Sequence, residues 1–215
     1  MNRRSLGRLA AAVLATGLLA GAWPLAHAAD EAPDAMIKRL SDEVMSTIRS
    51  DPAVHAGDIN KVMALVDSKI RPNVNFQRMT ASAVGPAWRQ ATPEQRQRLQ
   101  QEFKVLLVRT YAGALSQVSD EQVSIKPLRA APTDTDVVVR SEIRGRGEPI
   151  QLEYRLEKTP GQGAGWKIFN LNVLGVWLVE TYRSQFAQEI SAKGVDGLIA
   201  SLSERNRSNA NGKKG

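Results

Sequence analysis

Residues 150–156 read Ile150-Gln151-Leu152-Glu153-Tyr154-Arg155-Leu156, apolar and polar in strict alternation. Successive side chains of a strand point to opposite faces, so Ile150, Leu152, Tyr154 and Leu156 lie on a core while Gln151, Glu153 and Arg155 face water. A strand buried on one face belongs in an antiparallel sheet. Three neighbouring runs fit the same sheet: Val123 to Leu128, Val137 to Ile143 and Trp166 to Val173. Connections rich in Gly and Pro join the four, which favours a meander over crossover units.

Outward from this block the period changes to that of a helix. On the N-terminal side Met36, Ile37, Leu40, Val44 and Ile48 mark one amphipathic helix closed by Asp51-Pro52, and Ile59, Val62, Met63, Val66 and Ile70 a second closed before Pro72. Phe76, Met79 and Val84 mark a short third, interrupted by Gly85-Pro86. Thr92-Pro93-Glu94-Gln95 has the cap residue, the Pro at the first helical position and the Gln three residues on that open a strong helix. Its buried face is Leu99, Phe103, Leu106, Leu107, Tyr111 and Leu115. After the sheet, helical spacing returns with Leu178, Tyr182, Phe186 and Ile190 and again with Val195, Leu198, Ile199 and Leu202. Helices, then a meander, then helices is an α+β order: N-terminal helices, a curled antiparallel four-stranded meander and C-terminal helices.

The 215 residues are 42% hydrophobic and 24% charged, enough apolar material for one core. There is no cysteine, which excludes disulfides, thiol catalysis and the acylated Cys of a lipoprotein. Arg3, Arg4 and Arg8 precede an uncharged run from Leu9 to Leu25 and then Ala26-His27-Ala28, the pattern of a secretory signal peptide rather than a membrane anchor. The expected organisation is a cleaved signal peptide over 1–28, one domain over 29–206 and a disordered polar tail over 207–215. Cleavage lowers the formal charge from +7 to +4 and leaves His55 as the only histidine. For an exported chain the polyanions within reach of a basic balance are lipid head groups and other envelope components rather than nucleic acid, but the cations are scattered apart from Arg205 to Lys214 and read as a solvated surface.

Catalytic chemistry finds few reagents. Gly161-Gln162-Gly163-Ala164-Gly165 lies between two strands and opens no helix, so it reads as a hairpin loop and not a phosphate cradle. His55 is a lone loop histidine, and Asp134 and Asp136 sit at a turn. What stands out is the bulky apolar material of both parities in Trp166-Lys167-Ile168-Phe169-Asn170-Leu171-Asn172-Val173 and on through Trp177 to Phe186. Both faces of that strand would be buried, either in an ordinary two-sided core or with one face on a cavity.

Over about Asp34 to Asn206 the sequence resembles the MlaC-like family of periplasmic phospholipid-binding, or toluene-tolerance, proteins. The resemblance is carried by Gly85, Trp88 and Ala91 to Arg96; by Phe103, Leu106, Thr110 to Ala112 and Leu115; by Trp166 to Phe169 and Gly175-Val176; and by Tyr182, Arg183, Phe186 and Gly194 to Ile199. It implies a deep apolar lipid pocket and a soluble monomeric carrier that shuttles phospholipid in the periplasm, maintaining outer-membrane lipid asymmetry. The implied partners are an outer-membrane lipoprotein complex and an inner-membrane ABC transporter with its periplasmic substrate-binding ring. No nucleic acid, metal, cofactor or catalytic residue is implied; bound phospholipid is cargo. On this reading the pocket wall is Leu106, Leu107, Tyr111, Val138, Leu152, Tyr154, Ile168, Phe169, Val173 and Trp177. Arg183 is the head-group candidate, and Arg89, Arg96 and Arg98 are candidates for partner docking. The chain departs from the family pattern where Asn75-Phe76 and Phe169-Asn170 replace Asp-Phe and Tyr-Asp, and where Trp177 replaces a Ser, which would put a large ring near the pocket mouth. Alternatives from other classes are a periplasmic chaperone or interaction protein for outer-membrane components, and an enzyme on a cone-shaped α+β fold.

Overall fold

The structure is a computed structural model and describes residues 31–211 apart from 119, 132 and 146; the expected signal peptide lies outside them. Helix α1 (Pro33–Ser50) starts with proline at its first position and ends at Asp51, whose carboxylate accepts from the amides of Ala53 and Val54 and so caps the one-turn α2 (Pro52–His55). Helix α3 (Ile59–Leu65) runs into a π-helical turn (Val66–Ile70) and a 3-10 turn (Arg71–Asn73). Helix α4 (Phe76–Val84) is capped by Asn75, and α5 (Pro93–Tyr111) by the reciprocal Thr92 and Gln95 bonds expected of its sequence.

Five strands follow in spatial order β1 (Gln122–Ile125), β2 (Asp136–Arg144), β3 (Ile150–Lys158), β4 (Trp166–Val173) and β5 (Val176–Trp177), every pair antiparallel. The α+β meander is as expected but has one strand more, because Leu174 and Gly175 both adopt positive φ (52° and 86°) and fold the chain back in a two-residue hairpin. The glycine-rich segment 161–165 is the β3–β4 loop, closed by the Thr159 amide on the Gly165 carbonyl.

Strand β4 settles the parity puzzle. Arg155 pairs with Asn170 but Leu156 pairs with Ile168, so Phe169 is an extra residue, a β-bulge. The bulge reverses the alternation, and Trp166, Ile168, Leu171 and Val173 share one face with Leu152, Tyr154 and Leu156. Large residues of both parities therefore serve one face rather than two. The opposite face is polar: Arg140 pairs with Glu153, Arg155 with Glu180, Arg78 of α4 with Glu157 and Asp136, and Glu142 with both Lys126 and Arg144.

Helix α6 (Leu178–Asn211) is broken at Gly194 (φ 70°, ψ −174°), which divides it where the sequence divides its two helical patterns. It packs on α4 and α5 through Phe103, Tyr182, Phe186 and Leu198, the rings of Phe103 and Phe186 meeting edge to face at 5.3 Å. Asn206 donates to the backbone and carboxylate of Glu102, and beyond it the helix continues to Asn211, through residues expected to be a disordered tail.

Candidate functional site

Between the apolar face of the sheet and helices α1, α3 and α5 lies a cavity of about 1070 Å³. Helix α1 closes one end of it, where Met36, Ile37 and Leu40 pack on Val137, Val139, Leu156, Trp166 and Ile168. Further along, α1 and the sheet diverge and the helix spacing brings one stripe of α5 to the opposite wall. That stripe is polar in its first half (Glu94, Gln97, Arg98, Gln101, Lys104) and apolar in its second (Leu107, Val108, Tyr111, Leu115). The sheet contributes Val123, Ile143, Leu152, Tyr154, Ile168, Leu171 and Val173, and the π-helical turn contributes Val66 and Ile70. Leu107, Leu152, Leu171 and Val173 are only half-buried although they sit inside the fold. Apolar side chains that face a void rather than neighbours forgo their dispersion contacts, so this wall is built for an apolar occupant.

Six of the ten expected wall residues line this cavity: Leu107, Tyr111, Leu152, Tyr154, Ile168 and Val173. The other four are elsewhere, each for a local reason. Leu106 is 2% exposed in the α4–α5–α6 cluster, one residue around the helix from Leu107. Val138 lies on the polar face of the sheet, opposite Arg155, between Val137 and Val139, which face α1. Phe169, the bulged residue, sits beneath the Arg78 guanidinium at 3.5 Å, and Trp177 is stacked by Arg155 at 3.9 Å. The ring of Trp177 therefore adds nothing to the cavity wall. Leu171 lines the cavity too, and only the bulge brings it to this face, so its position in the sequence does not show it.

The arginines also redistribute. Arg183 is exposed on α6 and lies over the backbone of Gly85, away from the cavity. Arg96 donates to the carbonyls of Trp88 and Arg89 and so caps the 3-10 turn Gly85–Arg89. Arg89 is exposed at that turn, whereas Arg98 lines the cavity. Of the other lining cations, Lys104 is bound to Asp67 at 2.9 Å and Arg71 is 3.9 Å from the same carboxylate.

The two departures at asparagine have a structural reason. Asn75 donates to Glu157 while its carbonyl caps α4, and Asn170 donates to Glu180 while its carbonyl accepts from the amides of Leu171 and Val179. Each side chain must donate and accept at once. An ionised aspartate only accepts, and would set two carboxylates against each other.

Tyr154 of the cavity wall lies with its hydroxyl 3.4 Å from that of the buried Ser141, and burial pushes the Tyr154 phenol above its ordinary pKa. Burial, and then the neighbouring Tyr182, raise Tyr111 likewise. Both phenols are neutral donors at physiological pH, unsuited to act as bases. His55 bonds the Val118 carbonyl at 2.7 Å, a loop-tying role. Among the described residues no group of three His, Cys, Asp or Glu is placed to hold a metal, and no helix is long and apolar enough to cross a membrane.

Residues 38–204 match the MlaC protein family. The chain is 26% identical over 187 residues to the toluene tolerance protein ttg2D of Pseudomonas putida, 86% of each chain being covered. It is 22% identical over 178 residues to the intermembrane phospholipid transport system binding protein MlaC of Haemophilus influenzae, covering 82% of this chain and 83% of that one. A solved structure of a phospholipid-binding protein from Ralstonia solanacearum, in complex with a phospholipid, superposes with a TM-score of 0.78 at 50% identity, over 82% of this chain and 98% of that chain.

Proposed function

The chain belongs to the MlaC family, and from that premise we propose that it is a periplasmic phospholipid carrier that moves lipid between membrane complexes. The observation that carries this reading is the cavity: about 1070 Å³, walled by half-buried leucine, valine and tyrosine. It is at the top of the ~300–1,000 Å³ range of small-molecule sites. The phospholipid in the 50%-identical solved structure supports the same cargo.

The mechanism needs no catalyst. Burying a methylene is worth about 0.8 kcal/mol, so two acyl chains of roughly 30 methylenes gain about 24 kcal/mol on leaving water. Release into bulk water is therefore negligible. An apolar cavity offers much the same gain as a bilayer, which makes exchange between the two nearly neutral and leaves direction to whatever the carrier meets. The acyl chains fit the apolar half of the α5 stripe, and the phosphate the polar half, beside Arg98 and Arg71 rather than the Arg183 that the sequence suggests. Docking to an outer-membrane lipoprotein complex and an inner-membrane ABC transporter follows from the family; Arg89, exposed at its turn, is the remaining candidate for that contact.

Extraction of the purified protein with organic solvent, followed by mass spectrometry of the extract, tests the proposal. A diacyl phospholipid in stoichiometric amount is the expected result, and an extract free of diacyl lipid would remove the carrier reading.

A further inference from the structure

Leu174 carries two features that rarely coincide. Its backbone is in the left-handed region (φ 52°), which the first position of a two-residue hairpin requires and which asparagine or glycine adopts far more readily than leucine. Its side chain is also 63% exposed. Neither the turn nor packing calls for a leucine here. Strain retained without a structural return is a sign of function.

The neighbours show what that function uses. Val176 pairs with Val173, and Ile150 with Ile143, so both lie on the sheet face that walls the cavity. Yet Val176 is 52% exposed, and Ile150 is exposed as well. The row Leu152, Val173, Val176 thus runs without a polar break from the cavity interior to the surface, and Ile143 to Ile150 does the same beside it. Tyr111, exposed and on the cavity wall from α5, completes the edge. Val123, the partner of Ile143, packs on the cluster that holds Val108 and Ala112 of α5, so this edge of the sheet lies at the apolar half of that helix, and Ile150, Leu174 and Val176 with Tyr111 make an apolar lip there.

We infer that this lip seats in the surface of a lipid bilayer, so that acyl chains pass between hydrocarbon and cavity without crossing water. The size of the patch favours a bilayer over a protein. A stable protein interface buries ~800 Å² and about 20–30 residues on each side, far more than four side chains supply. Shallow insertion needs only a few aliphatic groups, because each buried methylene contributes separately. The formal net charge, +4 once the expected signal peptide is removed, adds attraction to anionic head groups. With phosphate held at the polar half of the α5 stripe, the chains point toward the lip and leave first.

The inference rests on the lipid-carrier reading, but the two fail separately: protein without bound lipid removes the carrier, while membrane contact is measured on its own. The test is flotation of the purified chain with vesicles of phosphatidylethanolamine containing about one quarter phosphatidylglycerol. Leu174→Asn combined with Val176→Thr should weaken partitioning at least about tenfold, the loss expected from roughly two fewer inserted methylenes. Leu174→Asn alone should weaken it less, while leaving the thermal midpoint unchanged or higher, since asparagine relieves the left-handed strain. Wild-type protein that does not float, or a double variant that floats as well as wild type, would overturn the inference. So would binding seen only when a protein acceptor is reconstituted in the vesicles.

Discussion

Leu106 and Leu107 are adjacent leucines on one helix with opposite fates. Leu106 is sealed among Phe103, Phe186, Leu99 and Leu198, where α4, α5 and α6 interlock. Leu107 faces the cavity and is only half-buried. The helical cluster is packed for stability, whereas the wall between α5 and the sheet is left unfilled. Local composition does not separate them; what does is whether a neighbouring element closes over the side chain. The α6 helix covers one side of α5, and among the described residues no side chain fills the cavity on the other.

The contrast should show most strongly when each region is damaged in turn. Phe103→Ala removes the ring at the centre of the packed cluster and should cost about 3–5 kcal/mol in denaturant unfolding, while the protein that remains folded keeps its lipid. A loss of lipid at full stability would mean that the two regions are not distinct. Asn170→Asp should cost about 1–3 kcal/mol at neutral pH, because it replaces the amide donated to Glu180 with a second carboxylate. The variant should recover as pH falls and one carboxyl takes up a proton, and Glu180→Gln should restore it at neutral pH; thermal midpoints across pH read both.

How far the two regions were legible in the sequence follows from the same residues. The alternation of 150–156 and the Thr92–Gln95 capping box depend on neighbours within one element, and both patterns stand as read, although Ile150 at the strand end is exposed rather than on a core. The bulge at Phe169 depends on how β4 registers against β3, which side-chain type does not encode, so Phe169 reads as a pocket residue and Leu171 does not. In Val137-Val138-Val139 three identical residues offer no parity signal, and only pairing with β3 shows that Val138 faces Arg155. Arg96 reads as a docking candidate in the sequence because the carbonyls it caps come together only in the folded 3-10 turn.

A smaller effect belongs to the polar face of the sheet. Glu142 bonds Arg144 and Lys126, which hold its carboxyl well below the ordinary 4.5, at about 2. A depressed carboxylate contributes stability that is complete above the unfolded value and is lost as pH falls through the folded one. The difference in thermal midpoint between wild type and Glu142→Gln should therefore be constant above pH 5 or so and shrink between about 4.5 and about 2. A difference that persists at the acid end would assign the effect to packing instead. The smallest change in stability is expected in the cavity wall, where Leu107→Ala should cost less than the 2–5 kcal/mol or so of a sealed leucine, because its side chain gives up few contacts. Leu106→Ala, one residue away, should fall inside that range.

Leu152→Glu probes the cavity itself, since it puts a carboxylate on the cavity face of β3 without touching the packed helices. Native mass spectrometry of wild type and variant, with circular dichroism to verify folding, reads cargo and structure together. Wild type should give an ion carrying the mass of one diacyl phospholipid, and the variant should stay folded without it, because a charge among acyl chains is costly. A wild-type ion without a lipid adduct, or a folded variant that keeps one, would contradict a lipid-filled cavity.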